Sequence, residues 1–326
     1  MLTAYGHSGK GLIALEAGAG SLIDDRGAVT IPDEAVWIDL FRPLPRQVEA
    51  VRALGVDVPT LEEMEQIEIS NRLFREEGLE YLTVVLPGKT ADGEPSAGPV
   101  TFILTPDRLV TVRHHAPRPF EVFPPRAAQS AAGCGSPDRI FLGLGEEIVA
   151  RLADLLEAAG RVLDEAARSV FAEDATSDSD ALQATLRRVG QQGELIGRVR
   201  LALLTMERAV SYFGAIERDD PAQALIKGLM RDIQALSVHS DYLSGRIGLT
   251  VDATMGMINL LQNATVRIVS VAAVLFLPPT LVASIYGMNF HLMPELDSPW
   301  GYPAALALML ASAVGCYLIF KWKKWL

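Results

Sequence analysis

Two uninterrupted apolar runs close the chain: Ile268 to Tyr286 reads IVSVAAVLFLPPTLVASIY, and Ser298 to Phe320 reads SPWGYPAALALMLASAVGCYLIF, neither with a charge. Each is close to the roughly 20 residues that cross about 30 Å of hydrocarbon at about 1.5 Å per residue. Residues 268–326 are therefore expected to form a transmembrane hairpin. Upstream, no strong breaker interrupts the chain between Pro221 and the tandem Pro278-Pro279. A helix from about Ala222 to Tyr286 would hold roughly 65 residues and run near 98 Å, longer than a bilayer is thick. Its first part, 222–267, reads as a stalk entering the membrane, with a bend predicted near Gly245, Gly248 or Gly256.

The remaining chain changes pattern once. In residues 1–136 the apolar segments Val36–Leu40, Leu79–Leu86, Val100–Thr105 and Leu109–Val112 are short, rich in Val, Ile and Thr, and bounded by Gly, Pro and Asp, which is a strand signal. Pro43–Leu54 and Thr60–Phe74 have helical spacing, and Gly88–Pro99 reads as a surface loop or hairpin end. Residues 137–221 instead carry apolar positions three and four apart over Leu144–Phe171 and Asp180–Phe213, the mark of long amphipathic helices. The expected fold is an α+β domain, a helical region, a stalk helix and two C-terminal transmembrane helices.

Charge orients this arrangement. Arg267 precedes the first apolar run and Lys321, Lys323 and Lys324 follow the second, whereas the connection between them carries only Glu295 and Asp297. By the positive-inside rule both termini are cytoplasmic and the loop 288–299 faces outward. The first nineteen residues lack a continuous apolar stretch, so no secretory signal is expected. The formal charge of -11 is concentrated in the first 266 residues, and that acidity argues against nucleic-acid binding. Cys134 and Cys316 are too few and too far apart for a disulfide framework.

Two helices cannot enclose a water-filled path, because a pore needs a closed wall that hides its polar lining from lipid. Any transport therefore requires several copies around an axis. Ser270, Ala272, Ala273, Ala283 and Ser284 would permit close helix contact. Pro278 and Pro279 remove backbone donors, which either kinks the helix or frees carbonyls near Val274 and Leu275 for solvent or ion. Thr280 could place a hydroxyl in the pore or bond back within its own helix. Beyond the first run lies Tyr286-Gly287-Met288-Asn289-Phe290, where Gly287 allows a tight turn and Asn289 offers a neutral carbonyl oxygen. A ring of such oxygens could hold the waters of a hydrated cation, which suits Mg2+ because it dehydrates reluctantly.

The segments YGMN (Tyr286–Asn289), MPEL (Met293–Leu296), Gly301-Tyr302-Pro303 and LFLPPTLVAS (Leu275–Ser284), with AVWIDL (Ala35–Leu40) and the lysine-rich tail, resemble the CorA family of magnesium transport proteins. That resemblance implies a funnel-shaped homopentamer in the bacterial inner membrane, with the first membrane helices lining the pore. It implies Gly287, Met288 and Asn289 as the selectivity loop, with Asn289 holding hydrated Mg2+ and Glu295 in the same periplasmic loop. Thr280, Leu277, Asn263 and Asp252 match pore-facing positions, Leu277 where some members have methionine. Asp232 resembles a regulatory aspartate that senses cytoplasmic Mg2+.

The implied function is passive Mg2+ entry driven by the membrane potential, since moving two charges across 100 mV is worth about 4.6 kcal/mol. No phosphate-binding loop is present to supply ATP chemistry. Two alternatives stay open. A relative selective for Co2+, Ni2+ or Zn2+ is one, disfavoured by Met288 and with His291 as the lone histidine at the mouth. A membrane-anchored scaffold or sensor is the other. An enzyme is not expected, because His114-His115 lacks an HExxH context and the serines lack a nucleophile elbow.

Overall fold

The computed structural model describes residues 1–8, 11–15, 29–90, 92–171, 179–216, 218–288, 293 and 298–323. They fall into two compact units: Met1–Ala167 with Arg187–Thr250, and Arg168–Leu186 with Val251–Leu326.

The first unit is built on one seven-stranded sheet. Its strands are β1 (Leu2–Ser8), β2 (Gly11–Leu15), β3 (Ala35–Phe41), β4 (Leu73–Glu76), β5 (Leu79–Lys89), β6 (Pro95–Leu104) and β7 (Leu109–Arg113). They lie in the order β2-β1-β3-β7-β6-β5-β4. Neighbours are antiparallel except β3 and β7, which pair in parallel with Asp39 opposite Thr111. The four strands expected from the sequence are β3, β5, β6 and β7, and β5 and β6 run on to form a long hairpin whose tip is only residues 90–94. β1 and β2 were not expected, because their inward positions Leu2, Ala4 and Gly6 are mostly small and give a faint alternation.

The central strands read as nearly continuous apolar runs because both faces are covered. On one face Ile38, Leu40, Tyr81, Ile103, Val110 and Val112 form a core with Val51 of α1 (Pro45–Arg52) and Met64 of α2 (Leu61–Glu65). The expected helix over Thr60–Phe74 is split into α2 and the four-residue α3 (Ile69–Arg72), after which the chain turns into β4. α2 is fixed by a capping box in which Thr60 and Glu63 exchange hydrogen bonds.

The other face meets α4 (Pro119–Arg126), α5 (Pro137–Val170) and α6 (Ser179–Gly214) through aromatic contacts. Phe102 packs on Phe120 and Phe141 at centroid distances of 6.0 and 5.2 Å, and Phe141 on Phe213 at 4.8 Å. A polar network crosses β3 and β7 beneath them. Trp37 Nε1 donates to Thr111 Oγ1 at 3.0 Å, Thr111 donates to Asp39 at 2.8 Å, and Arg113 Nη2 donates to Asp39 at 2.8 Å. Each buried polar group there has a partner, which is the condition for burying it at tolerable cost.

Beyond β4 the edge of β5 has no strand beside it among the described residues. α6 closes it instead, with Val85 N donating to Thr205 Oγ1 at 3.0 Å. α7 (Asp220–Tyr286) begins in this unit, where Ile226, Leu229, Ile233 and Leu243 are buried. α7 is a single helix of 67 residues that keeps its helical assignment through Gly245, Gly248, Gly256 and both prolines.

The second unit contains the C-terminal part of α7 and α8 (Gly301–Trp322). Both are long and apolar enough to cross a membrane, and only 6% of each apolar window is buried. That exposure separates them from core helices of the same composition. Val271 on α7 and Ala305 on α8 are the buried apolar residues of these two segments among the described residues.

Candidate ion pathway

The candidate pathway residues lie along α7 from Asp252 to its end at Tyr286, with Gly287 and Met288 just beyond it. An α-helix advances about 100° per residue, so Asp252, Asn263 and Leu277 fall within about 40° of one another and Thr280 about 60° from Leu277 at the edge of the same stripe. All four are exposed along the single chain. The stripe spans about 42 Å from Asp252 to Thr280 at 1.5 Å per residue. Its chemistry changes along that length, from a carboxylate through an amide to a leucine that is 65% exposed.

Positions not assigned to the pathway from the sequence share this face. Asn259 lies one turn before Asn263, Ser270 lies between Asn263 and Leu277, and Ser284 follows toward the helix end; all three are exposed. Plotting polar residues at spacings of 4, 7 and 11 around Asn263 would have revealed them, because those spacings return to one helix face. An apolar group, Val274, Leu277 and Leu281, occupies the same stripe where the chain is most hydrophobic.

The helix survives Pro278 and Pro279. Neither proline has an N–H, so the carbonyls of Val274 and Leu275 lack their usual donors four residues on. Thr280 Oγ1 donates to Phe276 O at 2.7 Å, so the hydroxyl bonds back within its own helix. That bond uses the proton and leaves the oxygen's lone pairs as acceptors. At the C-terminus Gly287 N donates to Ala283 O at 2.9 Å and Met288 N to Ile285 O at 3.3 Å. A Cβ on residue 287 would sit 3.1 Å from Ala283 O, so glycine lets the last turn close tightly. Asn289 and His291 lie outside the described residues, as does Glu295.

Asp232 is exposed on α7 in the first unit. Among the described residues no three His, Cys, Asp or Glu side chains gather closely enough to hold a metal ion. Asp232 alone supplies one carboxylate, and a hard divalent cation takes six or more oxygen ligands.

Of the paired histidines, His115 is structural. His115 Nε2 donates to Leu86 O at 2.8 Å, and both Gly88 and Gly98 pack against its ring so closely that a Cβ on either would clash. Burial pushes the His115 pKa below its ordinary 6.5, with nearby Arg113 and His114 adding to that and the Leu86 carbonyl opposing it. The ring is therefore neutral at physiological pH and locks the base of the β5–β6 hairpin.

Three comparisons with known proteins bear on this geometry. The sequence model of the family described as CorA-like Mg2+ transporter protein matches residues 32–323. The magnesium transport protein CorA of Yersinia pestis is 34% identical over 294 residues, covering 90% of this chain and 92% of that protein. The magnesium transport protein CorA of Pasteurella multocida is 34% identical over 298 residues, covering 90% and 93%. Among solved structures, the complete CorA magnesium transporter from Methanocaldococcus jannaschii matches with a TM-score of 0.75 at 15% identity, over 100% of this chain and 99% of that one. The ZntB cytoplasmic domain from Vibrio parahaemolyticus matches with a TM-score of 0.55 at 12% identity, over 78% of this chain and 96% of that one. At such identities the structural likeness speaks to fold.

Proposed function

This chain belongs to the CorA family of Mg2+ transporters, and from that membership we propose that it conducts Mg2+ passively into the cytoplasm as a homopentamer whose pore is lined by α7. Divalent cation transport across a membrane by an oligomer follows from the family. The choice of Mg2+, the inward direction, the five-fold funnel and the placement in a bacterial inner membrane with both termini cytoplasmic are our reading. So is the division into a domain over 1–136, a helical region over 137–221, a stalk over 222–267 and a membrane hairpin over 268–326.

The observation that carries this reading is the exposed stripe on α7. A helix that leaves Asn263, Leu277 and Thr280 uncovered on one face has a surface suited to neither lipid alone nor water alone, and packing copies around an axis gives each group its place. In that arrangement a hydrated ion meets the Gly287-Met288-Asn289 loop first, with Glu295 adding negative charge at the mouth. Asn289 side-chain oxygens accept hydrogen bonds from the ion's waters, so the dehydration that Mg2+ resists is avoided. The ion then passes the Thr280 hydroxyl oxygens and a ring of Leu277 side chains. Such an apolar ring excludes water when narrow and conducts when it widens. Asn263 and Asp252 draw the ion onward toward the cytoplasm.

Gating follows from like charge. Mg2+ shared between Asp232 and carboxylates of a neighbouring copy would hold the ring closed, and loss of the ion at low internal Mg2+ would leave those carboxylates repelling one another.

The test is flux. The full chain would be reconstituted in liposomes loaded with a Mg2+-sensitive dye, and an inside-negative potential imposed with a potassium gradient and valinomycin. Mg2+ should enter at a rate that grows with potential, and Asn289→Ala should reduce discrimination between Mg2+ and competing Co2+, Ni2+ and Zn2+. A monodisperse oligomer that passes no Mg2+ under potential sinks the proposal, and faster Zn2+ than Mg2+ entry would replace the ion.

A further inference from the structure

A cavity of about 620 Å³ opens in the first unit between the β5–β6 hairpin, the start of α4, and the facing sides of α5 and α6. Volumes of about 300–1,000 Å³ are typical of small-molecule sites. Its walls hold four cationic side chains, Lys89, Arg118, Arg151 and Arg198, and one carboxylate, Glu121. The protein as a whole carries a net charge of -11, so this local excess of positive charge runs against the overall field.

The cations are not consumed by internal pairing. Among the described residues neither Lys89 nor Arg118 has a carboxylate within salt-bridge distance. Arg151 reaches Asp154 only at 3.9 Å, and that carboxylate is 70% exposed. Arg198 pairs with Glu194 one turn away on the same helix, an exposed contact of small worth. Ser96 Oγ is buried in the wall and has no hydrogen-bond partner among the described residues.

Backbone hydrogen bonds and close packing set the position of Lys89 in the wall. Lys89 and Ala116 exchange backbone hydrogen bonds at 3.3 and 3.0 Å, which fixes Lys89 beside the strand end leading to Arg118. Gly88 makes that crossing possible, because a Cβ there would lie 2.9 Å from the Ala116 carbonyl. The rest of the lining is apolar: Pro87 and Pro95 from the hairpin, Leu155 from α5 and Leu195 from α6.

We propose that this cavity binds a phosphorylated organic anion of the nucleotide class. Planar guanidinium groups donate paired hydrogen bonds to phosphate oxygens, and a polyphosphate offers several such oxygen pairs to three guanidiniums where a single carboxylate offers one. The apolar wall would take the uncharged part of the same molecule, and Ser96 Oγ would find its partner there. Glu121 disfavours the most crowded placement of charge and directs the phosphates toward the three arginines. The cavity lies within the first unit and shares no lining residue with the proposed ion pathway.

The experiment is titration calorimetry on the full-length oligomer in detergent with EDTA present, so that no free divalent cation links the readout to transport. The probes are ATP, AMP and tripolyphosphate. Saturable binding is expected, with ATP tighter than either AMP or tripolyphosphate. Arg118→Gln with Arg151→Gln should weaken ATP by about tenfold or more, a change of about 1.4 kcal/mol or more, because both remove charge-assisted hydrogen bonds to phosphate. Lys89→Gln, an exposed change that leaves the fold alone, should weaken it by a smaller factor. The variants' oligomer size and melting are measured beside wild type, so that a misfolded double variant is recognised and Lys89→Gln decides. No saturable binding up to millimolar ATP, or ATP binding that both sets of substitutions leave unchanged, overturns the site. Equal affinity for ATP and tripolyphosphate overturns the nucleotide class.

Discussion

Replacing Arg218 by methionine should unfold the first unit more readily than any surface change, because this guanidinium ties three elements together. It sits between α6 and α7 and donates from Nη2 to both carboxylate oxygens of Glu80 on β5 at 2.7 Å. Its Nη1 reaches Asp138 at the start of α5 at 2.8 Å, and it lies 4.0 Å over the Phe213 ring. The Arg218 and Glu80 side chains are only 11% and 7% exposed. Removing the cation leaves Glu80 buried without its counter-charge, a cost of about 3–5 kcal/mol. Asp138 is 33% exposed and can be rehydrated, so it adds little. For a unit of this size each kcal/mol moves the melting midpoint by about 2–4 °C, giving a drop of roughly 6–20 °C. The assay is thermal unfolding of the full chain in detergent for wild type, Arg218→Met and the double variant Arg218→Met with Glu80→Leu. The double variant should recover most of the loss, since no buried charge remains. A single variant that melts within about 2 °C of wild type, or a double variant no better than the single, would refute this reasoning.

Three further outcomes are expected. Thr205→Val leaves the Val85 N–H at the open edge of β5 buried without an acceptor and should cost about 1–3 kcal/mol in chemical denaturation, with Thr205→Ser close to wild type. Gly88→Ala forces a methyl group against the Ala116 backbone at 2.9 Å, where no side chain can yield, and should lower the melting midpoint of the first unit measurably. His115 makes stability pH-dependent: the native state holds it neutral, whereas the unfolded chain binds a proton below its ordinary 6.5. Stability should therefore fall as pH drops below 6.5 and level off once the depressed native pKa is passed. His115→Gln should flatten that part of a melting-versus-pH series.

The two apolar C-terminal helices and the long helices before them were legible from the sequence because length and apolar continuity alone specify them. α5 and α6 appear where three-and-four spacing places them, α7 where no strong breaker interrupts the chain after Pro221, and the β-rich start of the chain is recognisable from Val, Ile and Thr runs. β1 and β2 escaped because Leu2, Ala4 and Gly6 bury little and leave no strong alternation. Thr60–Phe74 misled in the opposite direction: helical spacing was present, yet the chain leaves α3 to pair Leu73–Glu76 with β5, and sheet hydrogen bonds outweigh local propensity. For the pathway, Asp252, Asn263 and Leu277 share a face, and Thr280 borders it. Asn259 was not assigned to the pathway, and Ser270 and Ser284 were read only as small helix-contact positions, because their single polar groups resemble any helix surface until the face is drawn. The cationic cavity was invisible in one dimension, since Lys89, Arg118, Arg151 and Arg198 come from four elements.

Cysteine modification along α7 tests most directly whether this face borders an aqueous path. With Cys134 and Cys316 replaced by serine and alanine, single cysteines at Leu277 and Leu275 place a thiol on the stripe or about 160° away from Leu277. In liposomes under inside-negative potential, a water-soluble thiol reagent should stop Mg2+ entry through the Leu277→Cys oligomer and leave Leu275→Cys conducting. Block at 275 with none at 277, or modification of neither while Mg2+ still flows, would contradict a pore lined by this face of α7.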